Sequence, residues 1–110
     1  MFGDLIIHDR VHSSPYGLPV SIKAFLEVPE MEIHRFTLLY RPAGNKEYIE
    51  LPMIQISKSR YQAEIPGKFS MREFLEYYLL LELHHHTQTK FPSFDADKNP
   101  IRIQINLPRD

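Results

Sequence analysis

Apolar residues recur at every second position through most of this chain. Val20, Ile22, Ala24, Leu26 and Val28 alternate with Ser21, Lys23, Phe25 and Glu27, the period expected of a strand with one face buried. Phe36, Leu38 and Tyr40 then share a face against Arg35, Thr37, Leu39 and Arg41, and Pro42-Ala43-Gly44-Asn45 supplies turn chemistry. A return strand is expected over Glu47-Tyr48-Ile49-Glu50-Leu51, with Pro52 marking an edge and Met53 to Ile56 continuing it. Tyr61, Ala63 and Ile65 alternate with Gln62 and Glu64, and near the end Ile101, Ile103, Ile105 and Leu107 alternate with Arg102, Gln104 and Asn106.

One stretch supports two periods. Ser70 followed by Glu73 reads as a capping box, and helical spacing groups Met71, Phe74, Leu75, Tyr78 and Leu79. Leu80 and Leu83 would spoil the polar face of that helix, whereas alternation puts Leu75, Tyr77, Leu79, Leu81 and Leu83 on one side. The expectation is a short helical turn near 70–74 followed by a strand. Nine prolines spread from Pro15 to Pro108 cut the rest into segments of strand length. The fold class expected is therefore all-β, a two-sheet antiparallel sandwich of about seven strands.

Composition narrows this picture. A chain of 110 residues is the size of one domain, so 1–110 is read as a single unit with 1–17 as its amino-terminal strand and lead-in. With 43% hydrophobic residues it is too apolar for disorder, and a formal net charge of -1 provides no broad attraction for nucleic acid. No run is long and apolar enough for a membrane helix, and the stretch Met1 to His8 lacks the form of a secretion signal. A complete chain would then be cytoplasmic, and a domain excised from a longer protein would favour an extracytoplasmic place. The absence of cysteine excludes disulfides, thiolate metal sites and cysteine nucleophiles.

Taken in order, the strands resemble a bacterial branch of the immunoglobulin-like and fibronectin type III-like superfamily over roughly residues 18–107. Gly17-Leu18-Pro19-Val20-Ser21-Ile22 resembles the lead into its second strand, and Phe36-Thr37-Leu38-Leu39-Tyr40-Arg41 its third. Leu51-Pro52-Met53 is similar to the end of the fourth, Tyr61-Gln62-Ala63-Glu64-Ile65-Pro66 to the fifth, and Leu75-Glu76-Tyr77-Tyr78-Leu79 to the start of the sixth. Asn99-Pro100-Ile101-Arg102-Ile103 is similar to the lead into the last. The resemblance implies a structural tyrosine corner at Tyr77, its hydroxyl tied back to the connection before its strand. Two departures set antibody-type domains apart: Tyr40 stands where a tryptophan would sit, and there is no disulfide.

Candidate chemistry is sparse. His84-His85-His86 offers imidazoles, but on a strand only His84 and His86 share a face, short of the roughly four ligands of a closed zinc site. His8, His12 and His34 have no sequence signal that brings them near, so no metal site is expected. Asp95-Ala96-Asp97-Lys98-Asn99 begins like a calcium loop, then puts Pro100 where the glycine belongs and Asn106 where the bidentate glutamate belongs. The four glycines are scattered and no serine elbow is present, so no catalytic residue and no cofactor is expected.

The sharper expectation concerns the outward face shared by the third and sixth strands. There Leu39, Tyr78 and Leu80 would form an apolar centre rimmed by Arg35, Arg41, Glu76 and Glu82. Either that face docks a partner, or the segment holding Phe91 and Phe94 folds back over it. The functional expectation is a non-catalytic protein-interaction or spacer module, in a larger bacterial surface or assembly protein or as a small docking subunit. Its partner would be a protein or a neighbouring domain, with weak homo-oligomerisation allowed. The alternative is a carbohydrate- or small-ligand-binding sandwich using Tyr16, Tyr48, Tyr78 or Phe94 as a stacking platform.

Overall fold

The alternating segments form the strands of the computed structural model, which describes residues 5–107. In chain order these are β1 (Ile6–Ile7), β2 (Ser13–Pro15), β3 (Val20–Leu26), β4 (Ile33–Pro42), β5 (Ile49–Pro52), β6 (Ile54–Ser57), β7 (Arg60–Ile65), β8 (Phe74–Leu83), β9 (Gln88–Phe91) and β10 (Ile101–Asn106). The architecture is all-β, and its helical content is confined to three-residue 3-10 turns. One sheet has the order β1-β3-β7-β6, the other β2-β10-β8-β4-β5, with β9 also pairing β8. Every pairing is antiparallel except that of β2 with β10.

Burial follows the alternation. In β3, Val20, Ile22, Ala24 and Leu26 are buried and the residues between them exposed, and β10 repeats this with Ile101, Ile103 and Ile105. The β3 side chains face those of β10 together with Phe36, Leu38, Tyr40, Leu75, Tyr77, Leu79 and Leu81 of its neighbours β4 and β8, giving one apolar layer between the two sheets. Fully burying one such aliphatic side chain contributes about 1.5–3 kcal/mol, so this layer is what holds the sheets together.

Three expectations are corrected. The helical turn lies at Gly67–Phe69, before the capping-box pattern, and not at 70–74. Ser70 starts no helix and instead closes the end of this turn: its hydroxyl donates to the Leu18 carbonyl at 2.6 Å and to that of Gly67 at 3.0 Å, while its own carbonyl accepts from Gly17. A Cβ on Gly67 would run into the Gly17 carbonyl, so the segment before β3 is clamped onto the turn before β8 by a close backbone approach that only glycine allows. The stretch Met53 to Ile56 does not continue the return strand in its own sheet. β5 pairs β4, whereas β6 pairs β7 in the other sheet, and the buried Met53 is the residue at which the chain changes sheets. Leu107, expected inward, stands outside β10 and is exposed.

Candidate functional site

Register places the predicted contact residues side by side. Leu39 lies opposite Tyr78, Thr37 opposite Leu80, Arg35 opposite Glu82 and Arg41 opposite Glu76. These side chains face away from the core, yet Tyr78 is only 7% exposed, Thr37 is buried, and Leu39 and Leu80 are half-buried. The segment between β9 and β10 explains this. Both strands lie on the side of β8 away from β4, but the carbonyl of Asp97 accepts a 2.9 Å hydrogen bond from Tyr48, beyond β4. To reach it the segment crosses the outer face of the sheet, and its own Ala96 is fully buried. Of the two expectations for this face, the structure presents the covered one for Tyr78.

A polar network holds the cover. The Tyr48 and Tyr78 rings meet edge to face, centroids 4.9 Å apart, and the Arg41 guanidinium stacks 4.3 Å from the Tyr48 centroid. Arg41 Nε donates to Glu76 at 3.0 Å while Arg102, stacked 3.9 Å over Phe74, reaches the other carboxylate oxygen at 3.5 Å. Burial pushes the hydroxyls of Tyr48 and Tyr78 above their usual value of 10, so both stay protonated donors at neutral pH. Of the four aromatics considered as stacking platforms, Tyr48 and Tyr78 are thus engaged in this network, while Tyr16 and Phe94 are exposed.

Tyr77 points the other way and is fully buried. Its hydroxyl does not return to the connection before β8, as the tyrosine-corner resemblance implies. It accepts from the Val11 amide at 3.0 Å and lies 2.6 Å from Nε2 of His8, another buried polar residue. The other ring nitrogen, Nδ1, is 2.6 Å from the Lys23 carbonyl. A carbonyl can only accept, so Nδ1 carries the proton, Nε2 is the acceptor, and the Tyr77 hydroxyl donates to it. The chain of bonds runs from Val11 through Tyr77 and His8 to Lys23, linking β8 of one sheet to β3 of the other. Burial holds the His8 imidazole below its ordinary 6.5, opposed by the bond to Lys23 and the charge of Asp9, and pushes the Tyr77 hydroxyl up to about 12. No sequence signal joins residues 69 positions apart, so the pair is invisible to alternation.

The histidine run forms the hairpin turn between β8 and β9 instead of a strand end, with His85 and His86 at φ 72° and 65°. Histidine is among the residues that visit this left-handed region more readily than most. His34, which no sequence signal linked to the run, stands with its ring centroid 5.4 Å from that of His84, because β4 and β8 pair to their ends. No group of three or more metal-ligating side chains forms among the described residues.

No protein-family model matches this chain, and no curated protein matches it.

Among the described residues, no segment covers the outer face of the other sheet. Ile7, Phe25 and Arg60 stand in one cross-strand row, since Phe25 lies opposite both Ile7 and Arg60. Together with Lys23 and Ile56 they line a shallow depression of about 540 Å³. Phe25 is 37% exposed, Ile56 55% and Ile54 64%. Ile54 lies opposite Gln62, whose amide bonds Ser21 on this outer side. The apolar patch therefore runs from β1 to the β6 edge. Sequence alternation is enough to find Phe25, an aromatic among the outward positions of β3, but it assigns Ile54 and Ile56 to the other sheet.

Proposed function

We propose that the chain is a non-catalytic protein-interaction or spacer module with an immunoglobulin-like or fibronectin type III-like fold. The strand order supports the fold reading: β1-β3-β7-β6 faces β10-β8-β4-β5, the two-layer arrangement of such domains, with the amino-terminal stretch divided between β1 in one sheet and β2 in the other. Extents of 50 × 29 × 23 Å suit a module that separates or presents neighbours along its length.

The observation that carries the interaction reading is the contrast between the two outer faces. One is closed by the 92–100 segment and the Arg41-Glu76-Arg102 network, with Tyr78 buried beneath and the segment's own Ala96 buried. The other leaves Ile7, Phe25, Ile54 and Ile56 in water. Apolar residues gathered on one face, beside Lys23 and Arg60, have the apolar-centre and charged-rim composition of a contact surface. The contact face moves accordingly from Leu39, Tyr78 and Leu80 to the opposite sheet.

Affinity capture from the organism that encodes the chain tests this. Phe25→Glu should keep the thermal midpoint within a few degrees and lose the captured protein, whereas Arg35→Glu on the covered sheet should retain it. Equal capture by both variants would overturn the assignment of the face, and retention on a glycan array lost with Tyr16→Ala or Phe94→Ala would replace the protein reading with a carbohydrate one.

A further inference from the structure

We infer that residues 5–11 form a strap across the seam between the two sheets, locked by neutral His8 and released, with the rest of the sandwich intact, when that imidazole takes up a second proton. Among the described residues the strap has few other holds. β1 pairs β3 through Ile6 with Leu26 and Ile7 with Phe25, and the Leu5 carbonyl accepts from the Glu27 amide. Of its side chains only Ile6 and His8 are buried. Beyond Val11 the chain joins the other sheet, where the His12 carbonyl accepts from Gln104 and β2 pairs β10, so that end stays moored. An element with few buried contacts opens at lower cost than the core strands do. Release bares the β3 edge at Phe25 and Leu26, beside the apolar patch of the same sheet.

The bonding pattern makes the lock depend on charge. Nδ1 donates to the Lys23 carbonyl, and Nε2 accepts from the Tyr77 hydroxyl, whose oxygen accepts from the Val11 amide. A second proton can therefore go only on Nε2. It turns that acceptor into a donor, so the Tyr77 hydroxyl proton loses its acceptor, and Nε2 and the Val11 amide then point two donors at one phenolic oxygen. No carboxylate stands within ion-pair distance of His8 among the described residues. β3 presents a carbonyl, β8 the Tyr77 hydroxyl and β9 the edge-to-face ring of Phe91, centroids 5.5 Å apart. On the strap itself the charge of Asp9 favours protonation, and Arg10, stacked 5.4 Å from the Phe91 centroid, opposes it. Burial holds the proton affinity of the seated ring down, whereas a ring swung into water regains its ordinary value of 6.5. The proton thus binds the open form more tightly. The closed strap prevails above pH 6.5 and gives way as the pH falls below it.

Amide hydrogen exchange of the full chain, expressed as protection over the unstructured rate and followed from about pH 7.5 down to about 4.5, reads the strap directly. The amides of Val11 and Glu27 are bonded only while it is closed. Their protection should hold above pH 6.5 and then fall several-fold, by no more than about ten-fold per pH unit, the limit for one proton. Leu38 and Leu79, paired in the centre of β4 and β8, should keep theirs. His8→Phe retains a ring but no titrating nitrogen, so protection at Glu27 should become independent of pH. Arg10→Glu, at an exposed position, replaces the opposing cation with an anion and should move release to higher pH, whereas His12→Gln, exposed on the same stretch, should leave it where it is. Val11 and Glu27 protected throughout, protection lost equally at Leu38 and Leu79, or a release unmoved by Arg10→Glu would each overturn the lock. So would the same pH dependence in His8→Phe.

Discussion

Replacing Tyr77 with phenylalanine isolates one hydroxyl in the chain of bonds that joins the two sheets. The ring stays in place, so no cavity opens. What disappears is the acceptor of the Val11 amide and the donor to His8 Nε2, at 3.0 and 2.6 Å. A hydrogen bond contributes about 1 kcal/mol net, and a buried partner left unsatisfied costs about 1–3 kcal/mol. With two partners stranded, Tyr77→Phe should destabilise the domain by about 2–4 kcal/mol, a large share of the roughly 5–15 kcal/mol typical of a domain. Urea unfolding at neutral pH should show a lower midpoint at unchanged slope, and the melting temperature should fall by about 10 °C or more. A double-mutant cycle with His8→Phe should give a coupling of about 1–3 kcal/mol.

The same substitution carries a pH signature. A folded-state value near 12 against the usual 10 means that the unfolded chain gives up the Tyr77 proton first. The stability from this group is whole below pH 10 and is lost as pH rises toward 12, by about 3 kcal/mol. Tyr77→Phe should blunt that alkaline loss. Stability within about 0.5 kcal/mol of the unaltered protein, or a cycle with no coupling, would refute the bonding chain.

Three further outcomes follow from the same geometry. Because burial lowers the His8 value below 6.5, the unfolded chain takes up that proton first; stability should be whole above pH 6.5 and fall as pH drops through the folded value, a loss that equilibrium unfolding should find reduced in His8→Phe. Tyr48→Phe removes the bond to the Asp97 carbonyl and should cost about 0.5–1.5 kcal/mol, with hydrogen exchange accelerating at residues 95–99 and unchanged in the core of β8. Leu80→Glu puts a carboxylate at a half-buried position opposite both Thr37 and Lys90, and should lower stability by about 1–2 kcal/mol in thermal unfolding.

Strand existence and facing were legible because they are local. A period of two over five or more residues leaves one way to bury the apolar side, so β3, β4, β7, β8 and β10 follow from their own residues. That reasoning also chose strand over helix for Phe74–Leu83, where a helix would have put Leu80 and Leu83 on its polar side. The adjacency of Leu39 and Tyr78 likewise follows once β4 and β8 pair.

Other features arise only when distant segments meet. Met53 marks a change of sheet because β7 offers an open edge to β6, a choice made by the arrangement of the whole sandwich. The 92–100 segment covers Tyr78 because Tyr48 catches the Asp97 carbonyl across two strands, and nothing in either stretch announces the other. His8 is held between the sheets because its two ring nitrogens find Lys23 in one and Tyr77 in the other, and it is the resulting burial that lowers its proton affinity. Alternation is a property of neighbouring residues, so the chain alone determines which side of each strand is apolar. Which outer face stays bare is decided by the path of loops between elements far apart in sequence, and only tertiary packing sets that path.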